Sequence, residues 1–97
     1  GQLDFEAAIA ADLELLARSD DRPPPAVLYR LGLLYAHYAN PKKDYKKAAI
    51  YMQRLVDLYP DSLLVNEARI WLGVFEVIDK IQQVDIDIEQ KKKELSQ

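Results

Sequence analysis

The chain has 97 residues, 49% of them hydrophobic and 30% charged, enough for one small domain but not for two domains with a cleft between them. It has no cysteine and one histidine, which excludes disulfides, thiolate metal sites, a cysteine nucleophile and multi-histidine metal sites. A formal charge of −3 and a pI near 5.1 argue against a general nucleic-acid binder.

Five prolines fall in three short gaps: Pro23, Pro24 and Pro25; Pro41; and Pro60. Proline lacks an N–H and clashes with the preceding turn, so each gap is expected to end a helix. Four segments remain, 3–19, 26–39, 44–59 and 62–95, and gaps this short suit antiparallel helix neighbours. In the first segment Phe5, Ile9, Leu13 and Leu16 recur at helical spacing. In the second, Leu28, Leu31, Leu34, Tyr35 and Tyr38 do the same. In the third, Tyr45, Ala48, Ala49, Met52, Leu55, Val56 and Tyr59 form one broad stripe. Such stripes follow the 3.6-residue period, and nothing alternates with period two as a strand would. Asp4, Asp44, and Asp61 or Ser62 carry side-chain oxygens suited to N-capping.

The fourth segment has no breaker after Gly73 and, if continuous, would run about 50 Å at 1.5 Å per residue. Val74, Val77, Ile81, Val84, Ile88, Lys91 and Leu95 step along it by three and four, a heptad seam with one lysine in a core position. Of these, Ile81, Val84, Ile88 and Leu95 are candidates for self-association, against the plain alternative that the helix caps the domain and frays. Ile86 lies off the seam and would add a second apolar edge. No stretch is apolar for long enough to span a membrane, and residues 1–20 lack the basic start of a signal peptide.

The chain also repeats itself. Leu31-Gly32 and Leu72-Gly73 lie 41 residues apart, and Asp4-Phe5-Glu6-Ala7-Ala8 and Asp44-Tyr45-Lys46-Lys47-Ala48 lie 40 apart. A mid-helix glycine costs about 1 kcal/mol against alanine. Two at matching points suggest close helix approach at both Gly32 and Gly73. Leu28, Leu31, Gly32 and Tyr35, then Ala48, Met52, Leu55 and Pro60, resemble the two helices of the tetratricopeptide repeat family. A four-residue excess near Asn40 to Lys43 lengthens the turn between them. A second start shows in Ala68, Leu72 and Gly73, with Arg69 and Glu76 where that family places large apolar and tyrosine residues. Leu58-Tyr59-Pro60-Asp61-Ser62, followed by Ala68 and Trp71-Leu72-Gly73, is similar to the variety found in bacterial periplasmic members, including outer-membrane assembly lipoproteins.

The resemblance covers residues 4–78. It implies an all-α fold of antiparallel helix pairs in the order B–A–B–A, one helical domain over 1–97 and a helical extension over 79–97. At a period near 40 the chain holds about two and a half helix pairs, so it is expected to be part of a longer protein, or to be completed by its own long helix or by another copy. The resemblance also suggests a bacterial periplasmic or membrane-associated location. It implies a concave groove, here lined by Tyr29, Leu33, Ala36, Ile70, Val74 and Val77, for an apolar peptide or helix.

Other candidates read as structural. His37 has no companion at metal spacing. Asp85, Asp87 and Glu89 are two apart and point away from one another on a helix. Lys42, Lys43, Lys46 and Lys47 make residues 41–60 locally basic, suited to an acidic partner or a phosphate, or to a solvated turn and helix start. No phosphate loop or nucleophile elbow is present. The expectation is a non-enzymatic scaffold with a protein or peptide partner and no cofactor. Self-assembly through the long last helix is the alternative.

Overall fold

A computed structural model describes residues 4–97. These residues form four helices and no strand: α1 (Phe5–Ala17), α2 (Pro25–Ala36), α3 (Tyr45–Leu58) and α4 (Val65–Leu95). The first expected segment began at residue 3, which lies outside the described residues.

Two of the expected caps are made. The Asp4 carboxylate accepts from the Ala7 N–H and that of Asp44 from the Lys47 N–H, both at 3.0 Å. Each satisfies one of the orphan donors of a helix start. The expectation of Asp61 or Ser62 at the head of α4 is corrected. Two successive turns, Ser62 N–H to Tyr59 carbonyl at 3.0 Å and Val65 N–H to Ser62 carbonyl at 3.1 Å, delay the helix. Ser62 Oγ accepts from Leu64 N–H inside that turn, and Leu64 then caps α4 without a side-chain bond.

The bounds of α2 differ from expectation at both ends. Pro25 is its first residue, because a missing N–H costs nothing in the first turn. The helix stops at Ala36, not 39, because a built turn takes over. There the Asp44 N–H donates to the Tyr35 carbonyl at 2.8 Å. Asn40, buried at 3% exposure, donates from Nδ2 to the Leu34 carbonyl and accepts at Oδ1 from the Lys42 N–H. The extra residues are thus an organised turn around a satisfied asparagine. Tyr38, placed in the stripe by its spacing, falls beyond the helix and is exposed.

Consecutive helices pack on one another. Phe5, at the start of α1, lies 4.9 Å from the His37 ring just after α2, so these two helices run antiparallel. Tyr59, after α3, donates its hydroxyl to the Pro23 carbonyl just before α2 at 2.6 Å, which sets α3 antiparallel to α2. The core joins Leu28 of α2, Ala48, Met52 and Leu55 of α3, and Val65, Ala68 and Phe75 of α4. Tyr45 and Trp71 close its far end, each with a ring 5.9 Å from that of Phe75. Every member of the expected α3 stripe is buried or half-buried. In α1 the pattern shifts: Leu13 is exposed and Asp12 is buried in its place.

The paired glycines do different things. A Cβ on Gly32 would lie 2.6 Å from Met52 Cε and 2.9 Å from its Cγ and Sδ, so the close approach holds there. A Cβ on Gly73 would meet nothing within 4 Å, so the expected close approach at that glycine is wrong. Gly73 sits on the exposed side of α4, away from α3. Alanine substitutions should therefore have opposite signs. Gly32→Ala must move the buried Met52 near its root as well as at its tip. It should lose about 1–2 kcal/mol once the helix gain is set against overpacking. Gly73→Ala should gain up to about 1 kcal/mol. Urea denaturation of both variants followed by circular dichroism would show the split, and equal signs would refute it.

Candidate interaction surface

α4 is a continuous helix of 31 residues, about 47 Å long. Its core face carries Val65, Ala68, Leu72 and Phe75, which pack on the other helices. At 100° per residue, Ile70, Val74 and Val77 lie roughly 160° around the axis from that face. They are 67%, 40% and 55% exposed, so half of the expected groove is an open apolar surface. The same line continues through Ile81, Val84, Ile88 and Leu95, all at least 48% exposed. Every residue from Asp79 onward is exposed, so the outer half of α4 has no covering among the described residues. Ile86 is exposed off the seam, as its spacing suggested.

The α2 half of the expected groove behaves differently. Tyr29, Leu33 and Ala36 are half-buried and pack against the core. The Tyr29 hydroxyl donates to Glu67 Oε2 at 2.8 Å and accepts from Trp71 Nε1 at 3.3 Å. These partners lie one turn before Ile70 and Val74, so α2 borders the α4 line at its first turns. Burial, and then the Glu67 carboxylate, hold the Tyr29 phenol above its ordinary pKa, which keeps it a neutral donor. Tyr29 is therefore a bridge between α2 and α4. The contribution of α2 is a border, and the open apolar surface belongs to α4.

The remaining candidates take structural places. His37 accepts at Nδ1 from the Ala39 N–H at 3.1 Å, with its ring against Phe5 and Tyr38. Asp85, Asp87 and Glu89 are exposed. Asp87 accepts from Gln83, Glu89 lies 3.6 Å from the Lys92 ammonium, and no group of acids among the described residues is placed to hold a metal ion. The lysine patch is divided: Lys42 pairs with Glu6 at 2.6 Å and Lys47 lies 5.7 Å from the Tyr35 ring. Lys43 and Lys46 face Glu76 and Asp79 across an open cleft of about 500 Å³ floored by Tyr45 and Phe75. The repeat pattern did not point to this cleft.

Two linkages also lay beyond the sequence reading. Arg30 grips the buried Asp12 with Nε at 2.8 Å and Nη2 at 2.7 Å, tying α1 to α2. The bonds to Asp12 raise the Arg30 pKa. The other is the Tyr29–Glu67 bond, which joins residues 38 apart in the chain. No helix among the described residues is long and apolar enough to cross a membrane. Comparison of the chain with known protein families, characterised proteins and solved structures gives no match.

Proposed function

We propose that the chain is a non-enzymatic protein–protein interaction module of tetratricopeptide-repeat type that binds an apolar helix. In this reading α1 is a second-type helix, α2 and α3 form a full pair, and α4 opens the next. Support comes from α2 and α4 starting side by side at the Tyr29–Glu67–Trp71 contact, and from the close seat of Gly32 on Met52. The lone histidine is engaged in a turn.

The observation that carries the reading is the exposed line Ile70, Val74 and Val77 beside the border of α2. Apolar groups at helical spacing on an outward face gain free energy when a second amphipathic helix covers them. Charges belong in the test at the open positions, because Tyr29 and Leu33 also hold the core. A panel of labelled helical peptides with apolar residues at i, i+3, i+4 and i+7 should include members that bind, as read by fluorescence anisotropy. Val74→Asp/Val77→Asp should weaken that binding at least tenfold with the circular dichroism spectrum intact. Equal binding by the folded variant, or no binding by any peptide together with no self-association, would overturn the proposal.

A further inference from the structure

Position by position, α4 specifies more than a generic apolar line. With Val74, Ile81 and Ile88 at a positions, Val77, Val84 and Lys91 fall at d. The flanks are then fixed. Lys80 and Asp87 stand at g, Asp85 and Lys92 at e. In a parallel, in-register pair each g position faces the e position five residues further along the partner. That rule sets Lys80 against Asp85 and Asp87 against Lys92, and symmetry makes each pair twice. Both flanking layers in the exposed half of α4 are matched in sign.

Antiparallel arrangements do worse. The register that faces Lys80 with Asp87 leaves Asp85 beside Ile78 of the other copy. Shifting one heptad one way matches Lys80 with Glu94 but faces Asp85 with Asp85 and Asp87 with Asp87, and shifting the other way faces Lys80 with Lys80. Lys91 is the one charged core residue of the seam. Its ammonium leans 3.6 Å from Glu94 at a g position, which leaves the aliphatic stem for the seam. Space is also available: the body of the domain packs on the face of α4 roughly opposite the seam, so the bodies of two copies would lie on the outer sides.

We propose that α4 associates, parallel and in register, with α4 of further copies of this chain. The contact runs along Val77, Ile81, Val84 and Ile88. It rests on the reading of α4 as an interaction surface and names its occupant. Residues branched at Cβ at both a and d favour three strands over two.

Because the chain has no cysteine, single cysteines report geometry without interference. Under mild oxidation, Val77→Cys and Ile88→Cys should each form a symmetric disulfide between copies. No antiparallel register brings both of these positions against themselves. Sedimentation equilibrium of the intact chain should give a multiple of the monomer mass, with three copies expected and two still placing the seam. Lys80→Glu should weaken association about tenfold, and adding Asp85→Lys should restore it, as sign-matched flanks require. A monomer at all concentrations, or a disulfide at only one of the two positions, would overturn the proposal. Binding of a helical peptide by a chain that stays monomeric would leave the interaction module standing and remove self-association alone.

Discussion

Replacing Leu28 with alanine is expected to cost about 2–5 kcal/mol, a large share of the ~5–15 kcal/mol that holds a domain of this size together. Leu28 is wholly buried in the core cluster that α2 shares with α3 and α4, whose members include Met52, Leu55, Val65 and Ala68. Truncation removes the transfer free energy of three carbons and leaves a cavity. Its neighbours come from different helices and cannot all collapse inward together. Leu63→Ala provides the contrast: Leu63 is 97% exposed, so it should change stability by less than about 0.5 kcal/mol. Urea denaturation monitored at 222 nm measures both. At about 4–8 °C per kcal/mol, the Leu28 variant should melt at least ~8 °C lower. A Leu28 variant as stable as the parent would mean the three helices do not share this core.

The helices are readable from the sequence because their limits are local. Prolines and capping aspartates act within a turn, and the α3 stripe needs only its own 3.6-residue period to place Met52 and Leu55 inward. The misplacements have non-local causes. The end of α2 is set by the Asp44 N–H reaching back to Tyr35 and by Asn40 folding under the turn, neither of which a periodicity carries. Gly73 resembles Gly32 in its neighbours along the chain, yet only Gly32 has another helix against it. The seam from Ile81 to Leu95 was plain for the opposite reason: none of the described residues packs on it, so spacing alone describes it. The α2 half of the groove was not, because the burial of Tyr29 depends on where Glu67 and Trp71 arrive from 38 and 42 residues away.

Separation along the chain also hid Asp12, whose partner Arg30 stands 18 residues on, in the next helix. In the fold Asp12 is 4% exposed, and its carboxylate is held by the bidentate grip of Arg30. The two partners are unequal: the Asp12 side chain is 6% exposed and that of Arg30 is 50%. Loss of either therefore has a different cost. Arg30→Met leaves a carboxylate buried without its donors, which should cost about 2–3 kcal/mol. Asp12→Leu leaves a half-exposed guanidinium that can turn to water, and should cost less than about 1 kcal/mol. The double variant Asp12→Leu/Arg30→Met removes both charges and should recover most of the loss of Arg30→Met, because no buried ion is then unpaired. Urea denaturation of the four proteins closes the cycle. A coupling below about 0.5 kcal/mol would show that the pair contributes no more than an exposed surface bridge. A larger coupling, with Arg30→Met the more damaging single change, would establish it as a polar tie that holds α1 to α2.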